Sequence, residues 1–381
     1  MSPTQDLESV RAEVLHALGS VNDPELHRPI TDLGMVDGVD VDPDGLVDVR
    51  VLLTIAGCPM RDTLTRDVTA AVRTVEGTRG ARVHFGTMTP EQRREVTTKV
   101  RGTTSAAPTI PFNEPGSLTR VYAIASGKGG VGKSSVTANL AAAMAADGLR
   151  VGVLDADVHG FSIPRLLGVT GKPTKVDDLM IPPSAHGVRV ISIGMFVPGN
   201  QPVAWRGPML HRALQQFASE VFWGDLDVLL LDLPPGTGDI AISVGQLLPK
   251  AEILVVTTPQ VAAAEVAERA GSVASQTEQR VVGVVENMSW LELPDGQRLE
   301  VFGSGGGQTV ATSLSQKLGT DVPLMTQIPM DVALREGGDV GVPVVLSHPD
   351  SPASIAMRDL ARTLARRPRG LAGRRLGVSV A

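Results

Sequence analysis

The segment SGKGGVGKSS at residues 126–135 constrains the fold of this chain more than any other segment. It contains the pattern G-x-x-x-x-G-K-[ST], whose fixed positions are Gly127, Gly132, Lys133 and Ser134. A β-branched, apolar run of strand length, VYAIAS, precedes it, and an Ala-rich helical pattern that ends near Gly148 follows it. A strand, a glycine-rich loop and a helix in this order predict a phosphate-binding loop.

The chemistry of such a loop assigns its residues to a nucleotide. Glycines allow backbone N–H groups to face phosphate oxygens, and the helix N-terminus adds roughly half a positive charge there. We expect the Lys133 ammonium to contact the β- and γ-phosphates and the Ser134 hydroxyl to ligate Mg²⁺. The positions expected to bind nucleotide are Gly127, Lys128, Gly129, Gly130, Val131, Gly132, Lys133, Ser134 and Ser135. A glycine-rich turn without a ligand is the alternative.

The composition is typical of a core-forming, globular chain. The chain has 381 residues, 42% of them hydrophobic, and a net charge of −6. This length suffices for two domains. The sequence contains no apolar run of about 18 residues, and its start, MSPTQDLESV, lacks the basic and apolar regions of a signal peptide, so we expect a cytoplasmic protein without an integral membrane segment.

Residues 21–50 carry eight acids against two arginines, which disfavours nucleic acid as a partner.

The chain divides at a proline-containing stretch. Residues 101–119 contain three prolines and no sustained hydrophobic period, which predicts a semi-rigid linker. Residues 1–100 predict a small α+β domain with helices at 5–19 and about 60–75 and strands near 46–54 and 81–86. Residues 120–370 alternate helical patterns with apolar strands, which are expected at 121–126, 150–154, 227–232, 252–258 and 281–286. This alternation predicts an α/β, Rossmann-like fold with a mostly parallel sheet.

Aspartates end two of the apolar strands. Asp155 and Asp157 follow the strand in RVGVLDADVHG, and Asp232 ends the strand in DVLLLDLPPGTGD. Ligands of an open parallel sheet bind beyond the carboxyl ends of its strands, so we expect Asp232 to hold Mg²⁺ through a water molecule. The backbone N–H of Gly236 is expected to contact the γ-phosphate. The alternative for Asp155 and Asp157 is that each caps a helix or a turn.

The loop contains a second lysine, Lys128. The run K-G-G-V-G-K-S resembles the deviant Walker A motif of dimeric ATPases that include nitrogenase iron protein and the Min and Par positioning ATPases. In that class the extra lysine crosses the dimer interface to the partner's nucleotide, so the resemblance implies a homodimer in which Lys128 acts as an arginine finger does. It also implies that Asp157 orients the attacking water, with Asp155 beside it. A solvated surface lysine is the alternative for Lys128.

A longer series of segments resembles the Mrp/ApbC iron–sulfur cluster carrier ATPases. These segments lie between about 120 and 340 and are ASGKGGVGKSSVTANLA, GVLDADVHGFSIPRLLG, AWRGPML, DLPPGTGD, VTTPQ, ENMS and EVFGSGGG. The N-terminal segments NDPEL, ITDLGMV and LTIAGCPM resemble the small domain of iron–sulfur assembly factors. The resemblance implies a homodimer that hydrolyses ATP with Mg²⁺ and delivers iron–sulfur clusters to apoprotein clients. It also implies that Asn287 binds the adenine edge.

The chain departs from that family at the cluster site. Members usually carry Cys-x-x-Cys shortly after ENMS, and two such pairs across the dimer hold a [4Fe–4S] cluster. Here LPDG, residues 293–296, predicts an ordinary β-turn. Cys58 is the one cysteine of the chain, so a dimer lacks the four thiolates of a bridging cluster.

Cys58 itself has three interpretations. It is a small buried apolar residue, a ligand for iron or a labile cluster shared across the dimer or with a client, or a redox-sensing thiol. The missing Cys-x-x-Cys also leaves open a different function, a dimeric ATP-dependent switch that positions or remodels a partner without handling a cluster.

The C-terminal end is basic. Residues 358–375 contain seven arginines and one acid, and Ile355, Leu360 and Leu364 have near-helical spacing. This pattern favours a surface helix followed by a basic tail at 371–381, which is expected to make at most a weak membrane contact. An amphipathic helix on an anionic membrane is the alternative.

Overall fold

The computed structural model describes residues 3–54, 60–101, 109–158, 160–176, 179–196, 207–236, 238–260 and 263–366. The chain forms two compact units, Met1–Pro108 with Thr174–Ile181, and Thr109–Pro173 with Pro182–Ala381. The described helices are α1 (Pro3–Leu18), α2 (Arg61–Val72), α3 (Pro90–Arg101), α4 (Lys133–Ala146), α5 (Ile163–Leu166), α6 (Gly207–Ser219), α7 (Asp239–Leu247), α8 (Ala263–Thr277), α9 (Gly306–Leu318), α10 (Val332–Val340), α11 (Val344–Ser347) and α12 (Pro352–Arg366). The described strands are β1 (Val36–Val41), β2 (Leu46–Leu53), β3 (Gly80–Thr87), β4 (Arg120–Ala125), β5 (Val151–Asp155), β6 (Thr174–Val176), β7 (Leu179–Ile181), β8 (Ser184–Ala185), β9 (Val188–Ser192), β10 (Val228–Asp232), β11 (Glu252–Thr257), β12 (Val281–Glu292), β13 (Arg298–Leu299) and β14 (Leu324–Met330).

The first unit contains the sheet β1-β2-β3, in which β2 is antiparallel to β1 and parallel to β3. Strand β2 alternates as a half-buried strand should, with Val47, Val49 and Val51 buried between more exposed neighbours. Helices α1 and α2 pack against the sheet. The structure confirms the predicted strands near 46–54 and 81–86 and the predicted helices at 5–19 and 60–75.

The sequence patterns did not predict β1 or α3. Helix α3 begins at a capping box, in which the Thr89 N–H donates to Gln92 Oε1 at 2.8 Å and the Gln92 N–H donates to Thr89 Oγ1 at 3.3 Å. Val96 and Val100 form its buried side. The T-x-x-Q spacing was the available signal for this helix.

The predicted linker at 101–119 is too long. Arg101 still belongs to α3, and residues 109–119 belong to the second unit. Phe112 is buried, the Asn113 amide donates to the Leu247 carbonyl at 2.7 Å, and the Thr119 hydroxyl donates to the Leu226 carbonyl at 2.8 Å. These contacts fix residues 109–119 to the body of the second unit, so the linker prediction is wrong for them.

The second unit contains a large sheet with the described strand order β13-β12-β11-β4-β10-β5-β9-β8, and β14 pairs with β12. Six strands run parallel to one another, namely β12, β11, β4, β10, β5 and β9. At the two ends, β13 is antiparallel to β12 and β8 is antiparallel to β9. The predicted Rossmann-like α/β fold is confirmed. This order places the carboxyl ends of β4, β10 and β5 side by side, with Asp232 paired in register to Ile124 and Asp155.

The core of the second unit includes the Ala-rich helix α4 and one face of α12. Leu360 and Leu364 of α12 are buried in this core, and Ile355 is the exposed apolar residue of the three. The amphipathic-membrane interpretation is therefore wrong for this helix, because its apolar face is already covered by protein. The tail at 371–381 lies outside the described residues. Within the described part of the chain, the helices lack the combination of length and apolar composition needed to cross a bilayer.

Candidate functional site

The phosphate loop connects β4 to α4. Gly130 and Gly132 have φ angles of +79° and +78°, the left-handed region that glycine adopts without strain. A Cβ on Gly132 would overlap the Asn287 side-chain amide. Gly129 and Gly130 are exposed, as expected of backbone that faces a ligand, and Ser135 is half-buried at the first turn of α4.

Three side chains of the loop and of α4 contact the carboxylate of Asp232. The Lys133 ammonium lies 2.8 Å from Asp232 Oδ1, and the Ser134 hydroxyl donates to Asp232 Oδ2 at 2.6 Å. Thr137 Oγ1 lies 2.9 Å from Asp232 Oδ1 and 2.9 Å from the Lys133 carbonyl oxygen. Asp232 and Thr137 have no exposed surface and Lys133 is 6% exposed, so this is a buried ion pair with all its partners in hydrogen-bond range.

Ser134 and Asp232 form the donor pair that the sequence assigned to Mg²⁺. Their oxygens converge at the carboxyl end of β10, and hydroxyl and carboxylate oxygens are ligands that Mg²⁺ accepts. The residues therefore fit a magnesium ion held by Ser134 and, through water, by Asp232. The fold thus brings together the two residues that the sequence assigned to Mg²⁺.

Asp155 lies beside this cluster but faces a different segment. Its Oδ1 accepts from the Asp157 N–H at 3.2 Å, and its Oδ2 accepts from the Ile163 N–H at 3.3 Å and from the Ser192 hydroxyl at 3.0 Å. Burial, followed by the charge of Asp232, raises the pKa of Asp155 to about 8. The geometry gives Asp155 the role of fixing the segment after β5, since its oxygens are bonded to that segment's backbone and to β9.

Asp157 is on the segment that Asp155 fixes. It is 7% exposed, and its Oδ1 accepts from the Gly160 N–H at 3.0 Å. This hydrogen bond is the turn-capping contact that the sequence left open as an alternative, and it engages one of the two carboxylate oxygens. Asp157 thus lies beyond the carboxyl end of β5, on the edge of the sheet where the phosphate loop also lies.

Asn287 contacts the phosphate loop directly. Its amide nitrogen donates to the Val131 carbonyl at 2.9 Å, and the residue is 2% exposed. The family resemblance implies that Asn287 binds the adenine edge, and in the structure its amide holds the backbone of the loop. The neighbouring Glu286 accepts from the Gly307 N–H at 2.6 Å and from the Gln327 amide at 2.7 Å, so it ties β12 to α9 and β14.

The Gly236 N–H has a hydrogen-bond partner within the chain. Its N–H donates to the Ser126 carbonyl at 2.8 Å, and its φ is +93°. A small, mostly apolar cavity lies behind this contact, lined in part by Ala241, Ala270 and Val273. The expected contact between Gly236 and a γ-phosphate therefore requires this hydrogen bond to open.

Lys128 projects away from Lys133. Its ammonium donates to the side-chain oxygen of Gln260, and the residue is half-buried. The two lysines of the loop therefore have separate acceptors, Asp232 inside the unit and Gln260 at its surface.

The segment at the expected cluster site is a hairpin. Leu293–Gly296 forms the predicted β-turn, in which the Gly296 N–H donates to the Leu293 carbonyl at 2.9 Å and Gly296 has a φ of +81°. The Arg298 guanidinium lies 4.1 Å from the Trp290 ring centroid and closes the base of the hairpin. Among the described residues, no group of three or more His, Cys, Asp or Glu side chains could hold a metal. Cys58 lies outside the described residues.

Sequence reasoning missed three residues of the site: Thr137, Ser192 and Gln260. Thr137 follows Lys133 by four positions, so the spacing that places i and i+4 on one face of a helix was an available signal. Ser192 carried no such local signal, because its partner is 37 positions away. Gln260 ends the family-like segment VTTPQ, but its partner, 132 positions away, could not be read from that segment.

Comparisons with known proteins identify the family of this chain. A family model described as NUBPL iron-transfer P-loop NTPase matches residues 117–365, and one described as iron-sulfur cluster assembly protein matches residues 11–85. A protein of Mycobacterium tuberculosis named iron-sulfur cluster carrier protein is 62% identical over 378 residues, which cover 99% of each chain. A Bacillus subtilis protein of the same name is 40% identical over 322 residues, 84% of this chain and 87% of the relative.

A solved structure shares the fold of the second unit. It is a nucleotide-binding protein from Archaeoglobus fulgidus in complex with ADP, 38% identical, with a TM-score of 0.50 over 58% of this chain and 86% of that chain.

Proposed function

Because the chain belongs to the NUBPL iron-transfer P-loop NTPase family, we propose that it is an iron–sulfur cluster carrier that binds and hydrolyses MgATP as a homodimer. The proposed binding and hydrolysis of MgATP is supported by the contacts that Lys133, Ser134 and Thr137 make with the buried Asp232. The observation that carries the cluster part is the membership in this family over nearly the whole chain.

Nucleotide binding exchanges one partner of Lys133 for another. Within one chain, Asp232 neutralises the Lys133 ammonium. Phosphate oxygens in the loop offer Lys133 more negative charge, and the backbone N–H groups of the loop, among them those of Gly130 and Gly132, share that charge. Asp232 is then available to Mg²⁺, which supplies charge neutralisation at the β- and γ-phosphates when it is bound.

Hydrolysis requires a water molecule in line with the γ-phosphate. We assign Asp157 to orient that water, and Asp155 to hold the backbone of Asp157 through its N–H. Gly236 completes the site when its N–H leaves the Ser126 carbonyl for the γ-phosphate, and it returns when the phosphate departs. These steps couple the loop after β10 to the hydrolysis state.

The homodimer is supported by Lys128, whose position in the loop leaves it outside the Asp232 cluster. An ammonium supplied by a second chain stabilises charge on the transferring phosphoryl group, in the manner of an arginine finger. Each chain would therefore complete the site of its partner.

The cluster is the cargo of this protein, and its ligation is incomplete. A dimer has two thiolates, one Cys58 from each chain, and the hairpin at Leu293–Gly296 adds none. A [4Fe–4S] cluster normally uses four, so the remaining ligands must come from small thiols, non-cysteine groups or the client's cysteines. We propose that Cys58 binds the cluster transiently and that apoproteins with free cysteines are the clients.

Two substitutions separate binding from hydrolysis. Lys133→Ala should weaken ATP binding, because it removes the cation that the phosphates attract. Asp157→Ala should bind ATP and hydrolyse it slowly, because the water and the Gly160 N–H lose a partner while the contacts of Lys133 and Ser134 with Asp232 remain. Equilibrium binding of ATP and single-turnover hydrolysis measure the two steps, with Lys175→Ala as a matched lysine control. Undiminished hydrolysis by Asp157→Ala would remove Asp157 from the mechanism.

Anaerobic reconstitution tests the cargo. Iron and sulfide counting and Mössbauer spectra should show a cluster that a chelator removes readily from the wild type, because exposed iron exchanges ligands. Cys58→Ala should bind no cluster, whereas the Lys133→Ala variant, which keeps Cys58, should still bind it. A chelator-resistant cluster that persists in Cys58→Ala would contradict this assignment.

The dimeric switch that handles no cluster is not favoured. The relatives of this chain are named iron-sulfur cluster carrier proteins, and the first unit contains the iron-sulfur cluster assembly match.

A further inference from the structure

The start of α8 and the residue Gln260 contact the first half of the phosphate loop at three points. The Arg269 guanidinium donates to the Gly127 carbonyl at 2.9 Å. A Cβ on Gly127 would lie 2.5 Å from Val266 Cα, so the α8 backbone approaches the loop as closely as glycine permits. The third contact is the hydrogen bond from the Lys128 ammonium to Gln260 Oε1. The backbone that carries Lys128 is therefore fixed, and its side chain is held toward α8.

This arrangement concerns Lys128 alone. The other lysine of the loop, Lys133, is buried and ion-paired with Asp232, so it is held by a charged partner inside the unit. Lys128 is held by a neutral amide oxygen at an exposed residue, Gln260. A neutral acceptor holds an ammonium more weakly than a carboxylate or a phosphate does. The contact is therefore strong enough to select a side-chain direction and weak enough to be exchanged for phosphate.

We propose that Gln260 is a positioning residue that retains Lys128 on its own chain until a second chain with bound nucleotide competes for the ammonium. This inference rests on the proposed action of Lys128 across a homodimer. The contact stabilises the unpaired chain, because Lys128 must leave Gln260 to reach the partner's phosphates. Gln260 thereby sets the chain concentration at which ATP-dependent pairing begins.

Two substitutions of Gln260 should act in opposite directions. Gln260→Ala removes the acceptor, so pairing should need less protein. The half-maximal chain concentration for ATP hydrolysis should fall about fivefold, because each of the two chains in a pair no longer gives up an exposed hydrogen bond. Gln260→Glu replaces the neutral amide oxygen with a carboxylate, which adds an ion pair to a hydrogen bond whose donor is already charged. The half-maximal concentration should then rise about fivefold, because both chains of a pair must break this exposed ion pair.

The experiment measures ATP hydrolysis per chain over a range of concentrations of the full-length protein. Sedimentation with a non-hydrolysable ATP analogue and Mg²⁺ measures pairing directly. Each Gln260 variant is made in the wild-type chain and in the Lys128→Ala chain, and Gln216→Ala, an exposed glutamine of α6, is the control that should leave the half-maximal concentration unchanged. In the Lys128→Ala chain, the Gln260 substitutions should change nothing.

The outcomes separate this inference from the proposed function. If Lys128→Ala leaves pairing and hydrolysis as in the wild type, the action of Lys128 across the dimer is refuted, and the role of Gln260 with it. If Lys128→Ala slows hydrolysis but Gln260→Ala and Gln260→Glu shift the half-maximal concentration in the same direction, or not at all, the role of Gln260 alone is refuted. A Gln260 effect that persists in the Lys128→Ala chain overturns it as well.

Discussion

The Thr137 hydroxyl offers a test of the buried cluster around Asp232. Thr137 has no exposed surface, and its Oγ1 lies 2.9 Å from Asp232 Oδ1, an oxygen that also pairs with the Lys133 ammonium. Thr137→Val removes this hydroxyl and keeps the shape of the side chain. The Asp232 carboxylate, which has no exposed surface, then loses one of its hydrogen-bond partners.

The expected cost follows from the type of bond. A hydrogen bond to a charged group contributes about 1.5–3 kcal/mol, and the bonds from Lys133 and Ser134 remain, so we expect Thr137→Val to lower the free energy of unfolding by about 2 kcal/mol. Thr137→Ser is the matched variant, since it keeps the hydroxyl and loses one buried methyl group. Its cost should be about 1 kcal/mol.

Urea unfolding of the nucleotide-free protein measures both costs. The three tryptophans of the chain, at positions 205, 223 and 290, all lie in the second unit, so their fluorescence reports the unit that contains Thr137. The denaturant midpoint should fall further for Val than for Ser, with an unchanged slope. Thr137→Val should also need more Mg²⁺ for half-maximal hydrolysis, because Asp232 is less well oriented. Equal stability of the wild type and Thr137→Val, or a larger loss for Ser than for Val, would refute the reasoning.

Two further predictions concern Glu25 and Lys128. Burial, followed by the charge of Asp23, raises the pKa of Glu25 to about 7, so the folded chain binds more protons than the unfolded chain between the ordinary pKa of 4.5 and about 7. Stability from Glu25 is therefore fully present below that window and is lost as the pH rises through it. Glu25→Gln should reduce this loss of unfolding free energy between pH 5 and pH 8, measured by urea unfolding followed by circular dichroism. An equal loss in the wild type and in Glu25→Gln would argue against this assignment. Lys128→Ala should slow ATP hydrolysis. Mixing it with an excess of Asp157→Ala, which supplies Lys128 in trans, should restore activity. If mixtures shown to contain heterodimers are not rescued, the action of Lys128 across the dimer is excluded.

The sequence by itself determined the local elements of the site. The strand, glycine loop and helix at 121–148 are encoded by contiguous residues, because the positive φ of Gly130 and Gly132 and the alanines of α4 act over a few positions. The turn at Leu293–Gly296 was predictable for the same reason, since proline and glycine set its backbone angles. The apolar runs of β5 and β10 are buried at every position and those of β4 and β11 at most positions, as the prediction of a parallel sheet requires.

Only the tertiary structure decided which side chains meet. Asp232 reaches Ser134 across 98 positions of sequence, and Asn287 reaches Val131 across 156. Those contacts depend on the strand order, which brings the carboxyl ends of β4, β10 and β5 together, and the period of a strand carries no information about its neighbours in the sheet. Two other contacts, between Lys128 and Gln260 and between the Gly236 N–H and Ser126, likewise depend on packing between segments that are distant in sequence. A motif specifies backbone geometry over a few residues, whereas the partner of each charged group is chosen by whichever segments the folded sheet places within hydrogen-bond distance.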